Sequence, residues 1–207
     1  MSAPGSMGRD SLHARLRTAT GPAHQALEDS LDWRARVATL PGYRTLLARL
    51  HGFHAAWEPV IGAELADDAF LAPRRRLALL AADLQHLGLS ADAVAALPLP
   101  MLGGREGPVL RGPAAATGAL YVLEGSTLGG KVIGRHIADL HGLSGAGLAY
   151  YRAHGPAAGS MWAALRARLE IFADDPAAEA VLTGAAVATF AAMRAWLSPA
   201  PEGAAGP

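Results

Sequence analysis

Residues 118–140 read GALYVLEGSTLGGKVIGRHIADL, and the rest of the chain is best understood outward from them. Leu120, Leu123, Leu128, Val132, Ile133, Ile137 and Leu140 recur on a helical period, and no alternation of period two competes. The stretch therefore predicts a helix. Yet Gly125, Gly129, Gly130 and Gly134 lie inside it, each costing about 0.8–1 kcal/mol relative to alanine. Two explanations fit such a sequence. Small residues can form a flat strip for another helix, or glycines can let a flat ligand lie directly against backbone.

The flanking chain is helical in pattern as well. Residues 1–10 are small and polar and predict a disordered start, with Asp10 or Ser11 as a cap. Leu12, Leu16, Ala19, Ala23, Leu27 and Leu31 then form an apolar stripe, interrupted by Gly21-Pro22, where the helix is expected to kink or restart. Pro41 opens a helix carrying Tyr43, Leu46, Leu47, Leu50, Phe53, Trp57 and Ile61. Further helices are predicted over 74–87, from Ser90 to Pro98, over 157–172 and from Asp174 or Asp175 to Leu197. Residues 98–113, with four prolines and four glycines, read as a linker. No strand pattern, repeat or heptad series appears. The expectation is an all-α single domain over 11–197, followed by a flexible tail over 198–207.

Composition narrows the function classes. With 18 basic and 18 acidic residues in 207, the chain has no net charge to draw it to nucleic acid or anionic lipid. It has no cysteine, so disulfides, thiolate metal sites and cysteine nucleophiles are excluded, and a metal would need histidine or carboxylate. No run of about 18 uninterrupted apolar residues occurs, and the opening MSAPGSMGRDS lacks the apolar core of a signal peptide. A soluble, cytoplasmic protein without membrane or nucleic-acid partners is expected.

Among eight histidines, His24 stands out, with Ala23, Ala26 and Leu27 around it and Glu28 one helical turn on. A ligating imidazole commonly gives its second N–H to such a carboxylate. His51, His54 and Glu58 share a helix face and form a rival cluster, but three ligands on one helix rarely surround an ion. The HExxH and Glu-x-x-His patterns of zinc and diiron sites are absent.

AHQALE at 23–28, GALYVLEGSTLGGKVI at 118–133 and GLAYY at 147–151 together resemble the heme oxygenase family, particularly its bacterial biliverdin-forming members. The resemblance runs from about Leu12 to Leu197. It implies a multi-helix fold with heme between a proximal N-terminal helix and a glycine-rich distal helix. His24 then corresponds to the proximal iron ligand and Glu28 to its neighbour. Gly125, Ser126, Gly129 and Gly130 correspond to the distal helix, where backbone must come close to oxygen held over the porphyrin edge. Arg17 and Arg166 match basic positions that bind the heme propionates, and Tyr121 and His136 are further pocket candidates. Ser126 stands where animal members carry an aspartate.

The implied activity is heme cleavage by O₂ to biliverdin, CO and ferrous iron, with heme as both cofactor and substrate. Without a dinucleotide fingerprint, the chain depends on an external donor such as ferredoxin, flavodoxin or a reductase. Iron acquisition and bilin supply to a photoreceptor are the two roles this implies. Two alternatives stay open: a heme carrier or sensor that keeps His24 without turnover, and a protein of the same fold acting on another small molecule.

Overall fold

The computed structural model describes residues 10–103 and 108–198; residues 1–9, 104–107 and 199–207, and the side chains of 126–129, lie outside the description. The predicted start and tail segments are thus outside it, apart from Asp10 and Ser198. Among the described residues there are ten α-helices and no strand: α1 Leu12–Leu31, α2 Trp33–Val37, α3 Leu40–Leu65, α4 Asp68–Leu71, α5 Leu77–His86, α6 Ala91–Ala95, α7 Gly112–His141, α8 Ala149–Arg152, α9 Ala158–Leu169 and α10 Pro176–Leu197. The fold is all-α, as the periodicity predicts.

Local chemistry sets the helix ends. The Ser11 hydroxyl accepts from the amide of Ala14 at 3.2 Å, Thr39 from Gly42 at 3.1 Å, and the Asp175 carboxylate from Ala177 and Ala178 at 2.9 and 3.1 Å. Each satisfies first-turn donors that no helical carbonyl can reach. Gly142, in the left-handed conformation at φ 66°, ends α7.

Several features of α1 and α7 differ from expectation. α1 runs unbroken through Pro22, because Thr18 and Pro22 lie on its exposed side, where water can satisfy the carbonyl that loses its partner. Its buried stripe passes through Thr20 rather than the exposed Ala19; the Thr20 hydroxyl bonds back to the Leu16 carbonyl at 2.8 Å. α7 starts at Gly112, six residues before the predicted start, because Pro113 belongs to its first turn. In its second half Val132 and Leu140 are exposed, so the apolar stripe read from sequence is only partly a core stripe.

The packing has an unequal plan. α10 lies against both α1 and α7, and α3 lies against α7 and α5, whereas α1 and α7 make at most glancing contact with each other. Gly118 of α7 is pressed against the Leu182 carbonyl of α10, where an added methyl group could not fit. Arg15 of α1 clasps Glu179 of α10 through two hydrogen bonds of 2.7 and 2.6 Å. By length and mean hydropathy (1.5) α10 reaches the range of a membrane-spanning helix, yet Leu182, Ala186, Phe190 and Met193 are buried in the core. A central helix of a bundle has the same composition.

Candidate functional site

Because α1 and α7 both lean on α10 without closing on each other, a cleft of about 520 Å³ remains between them. From α1 it is lined by His13, Arg17, Thr20, Gly21, His24, Leu27, Glu28 and Leu31, a series at helical spacing that forms one face. α7 contributes Tyr121, Val122, Gly125 and Ile133, α9 contributes Trp162, and α10 closes the back with Phe190 and Met193. The walls are mainly apolar and the polar groups come chiefly from α1, the composition of a binding site for a largely apolar organic ligand with a few polar groups.

His24 stands on the α1 wall with its ring edge-to-face against Phe190, centroids 5.4 Å apart. Its Nε2 is 3.6 Å from Oε1 of Glu28, beyond hydrogen-bond length but within ion-pair range; the side chains are 53% and 59% exposed. Histidine and carboxylate thus meet across one turn as the spacing predicts, although the apolar surroundings come mainly from α10.

The glycines separate into two groups. Gly125 and Gly21 face each other's side of the cleft, and a Cβ on either would meet nothing within 4 Å. Protein packing therefore gives no reason for glycine at these two wall positions. Gly130 and Gly134 turn instead to Tyr151, whose atoms would lie 3.5 and 2.8 Å from an added Cβ. Gly130 is buried against Tyr151 and does not line the cleft, whereas Gly125 does. Ser126 and Gly129 lie within α7, but their surroundings are outside the description.

At the mouth, Arg17 lines the cleft and Arg166 of α9 is an exposed side chain close enough for its charge to act on His13. Tyr121 is buried on the opposite wall, hydrogen-bonded to Thr20, and burial raises its phenol above the ordinary value. His136 is not part of the cleft. It packs edge-to-face on Trp33 at 5.3 Å and borders a separate depression with Lys131, Arg135 and Asp139. His13, Trp162, Phe190 and Met193 join the site only in the folded structure. His13 is the one with a legible signal, since it extends the Arg17–His24 face by one turn toward the N-terminus.

Behind α7 lies a buried polar network. His54 Nδ1 is 2.8 Å from Glu58, and the same Glu58 oxygen accepts the amides of Arg76 and Leu77 at 2.8 and 3.2 Å, capping α5. The Arg76 guanidinium donates to Nε2 of His154 at 3.0 Å, and Glu124 lies 3.8 Å from His154 and 4.0 Å from Arg76. Burial, then Arg76 and Arg74, push His154 down to about 4, and burial raises Glu124. A cavity of about 20 Å³ among His54, Glu58, Arg76 and Glu124 suits one water. Among the described residues no cluster of three or more His, Asp or Glu side chains has metal-binding geometry, so the His51–His54–Glu58 trio reads as structural.

The cleft fits heme on its donor chemistry. His24 offers an exposed imidazole from α1, Gly125 leaves the α7 wall without a side chain, apolar side chains line the space, and Arg17 adds a guanidinium. A neutral imidazole is the common proximal ligand for heme iron, and guanidinium pairs with carboxylate through paired hydrogen bonds.

Residues 10–199 match the sequence model of the heme oxygenase family. In fold the chain is similar to the heme oxygenase of Neisseria meningitidis, solved in NO- and CO-bound forms, with a TM-score of 0.70 and 24% identity over 94% of this chain and 96% of that one. No curated protein matches the sequence.

Proposed function

The chain belongs to the heme oxygenase family, and from that premise we propose that its α1–α7 cleft binds heme and opens it to biliverdin, CO and ferrous iron. The observation that carries this reading is the opposition of His24 on one wall and Gly125 on the other, across an apolar space with Arg17 at its mouth.

In this reading heme is the substrate and also supplies the iron at which O₂ is activated. His24 would ligate that iron through one ring nitrogen, with Glu28 one turn away placed to take the other N–H and fix the tautomer. Gly125 keeps side-chain bulk away from the reacting porphyrin edge, and the family resemblance extends that role to Ser126 and Gly129. Phe190, Met193, Ile133 and Trp162 exclude water from the porphyrin faces. Arg17 and Arg166 hold the propionates and so set the in-plane rotation, which decides the carbon that is attacked; Tyr121 supports the same edge. An external ferredoxin, flavodoxin or reductase supplies electrons. The product serves iron release or bilin supply.

The test is titration with hemin, followed by reductant and O₂. A Soret band lost in His24→Ala, then a red-absorbing biliverdin product, is the expected course. A stable oxygenated spectrum without product would mark a carrier or sensor, and the absence of any Soret shift would remove heme from the reading.

A further inference from the structure

His13 is the first cleft residue of α1, one turn before Arg17 and three turns before His24. Its ring is wedged between two aromatic edges, Tyr121 at 6.2 Å and Trp162 at 5.7 Å, both T-shaped. Its backbone is fixed as well, since Glu170 accepts the amides of Leu12 at 3.2 Å and His13 at 3.3 Å. Among the described residues no hydrogen bond occupies either ring nitrogen. An imidazole so held, at the open end of an apolar cleft, is positioned to give an N–H to an incoming anion.

The charged and titratable groups that face it come from three directions. Arg17 lies on its own helix, Arg166 on α9 and Glu170 just beyond α9, while the Tyr121 phenol on α7 stays protonated. Burial first, then Arg166 and Arg17, lower the His13 pKa below the ordinary imidazole value, against the opposing pull of Glu170. The free protein therefore holds a neutral ring at neutral pH. Two carboxylates arriving beside the arginines would cancel much of the repulsion that keeps it neutral and would add an attraction of the opposite sign.

We propose that His13 is a third carboxylate-recognition group of the cleft mouth, which takes up a proton as the two carboxylates of a porphyrin settle between Arg17 and Arg166. The inference rests on the heme-binding reading and adds to it a residue and a pH-dependence. Linkage fixes the sign. A group whose pKa is higher in the complex strengthens binding as pH falls through the bound value, and the gain levels off below the free value.

Metal-free protoporphyrin IX is the suitable probe, because it keeps the carboxylates and removes iron ligation by His24. In fluorescence titrations wild type should bind it roughly three- to tenfold more tightly at about pH 6 than at about pH 8, one pKa unit being tenfold in affinity. His13→Gln and the dimethyl ester of the porphyrin should each bring that ratio close to one. On ligand addition at about pH 7, the His13 ring resonances should move toward the imidazolium position. A ratio near one in wild type, or an unchanged ratio in His13→Gln or with the ester, would overturn the assignment. Should His13→Gln misfold, the ester comparison on wild type decides alone. A His24-dependent Soret band with hemin that survives a failed pH test leaves the heme reading standing and removes only His13; its absence removes both.

Discussion

Gly134 lies so close beneath Tyr151 that a methyl group added to it would stand 2.8 Å from Tyr151 Cβ, whereas one added to Gly125 would meet nothing within 4 Å. Two glycines nine residues apart on one helix are thus kept for different reasons. Gly134→Ala should destabilise the fold by about 1–3 kcal/mol through overpacking. Gly125→Ala should melt no lower than wild type, and up to about 1 kcal/mol of helix propensity favours it. Its heme complex should nonetheless lose most biliverdin formation. Melting of the ligand-free proteins and product analysis under reductant and O₂ check both halves; wild-type turnover in Gly125→Ala would assign that glycine no part in the reaction.

His24→Ala should abolish the wild-type heme spectrum and nearly all turnover. His51→Ala and His54→Ala should leave the spectrum unchanged, although His54→Ala removes a buried ring and strips a partner from half-buried Glu58, which should cost about 1–3 kcal/mol of stability. Absorption spectra and urea unfolding separate the two effects.

Arg166→Ala should weaken hemin binding by about 1 kcal/mol, roughly fivefold, because the side chain is exposed and its ion pair with a propionate is screened. The biliverdin isomer ratio should shift with it, since one anchor of the in-plane rotation is lost. Unchanged affinity with an unchanged isomer ratio would return Arg166 to the solvated surface.

His154 gives a stability prediction with a definite sign. Its folded pKa of about 4 lies below the unfolded value of about 6.5, so below pH 6.5 the unfolded chain binds a proton that the folded ring refuses. Raised Glu124 acts in the opposite sense, so the comparison must be with a variant. Relative to His154→Gln, which keeps an acceptor for Arg76, wild type should lose stability between about pH 6.5 and about pH 4, approaching 1.4 kcal/mol per pH unit. Urea unfolding across that range gives the difference directly, and parallel curves for the two proteins would contradict it.

Helical period and caps made most of the fold legible, because Tyr43, Leu47, Phe53, Trp57 and Ile61 sit where a regular helix must bury them. The sequence also pairs His24 with Glu28, since a four-residue step needs no tertiary information. Legibility ended where a neighbour's identity mattered. Whether Gly130 faces Tyr151 or the cleft depends on where α8 lies, and the displacement of His136 toward Trp33 depends on α2, whose five residues are too short to show a period. Phe190 and Met193 could be recognised as core residues but not as the back wall of a cleft, because that follows from the way α10 supports two helices that barely touch each other.

That arrangement gives the ligand a structural office. α1 and α7 are like two pages bound at one spine, and a rigid planar molecule slipped between them supplies contacts that the polypeptide does not make for itself. Amide protons in the 20–28 stretch of α1 should exchange fastest in the ligand-free protein and be slowed most by hemin, while those of α10 should change little. The melting temperature should rise with hemin concentration as mass action requires, even in a variant that cannot turn hemin over. Under the proposed reading, occupancy of the cleft would extend the core as well as start the chemistry.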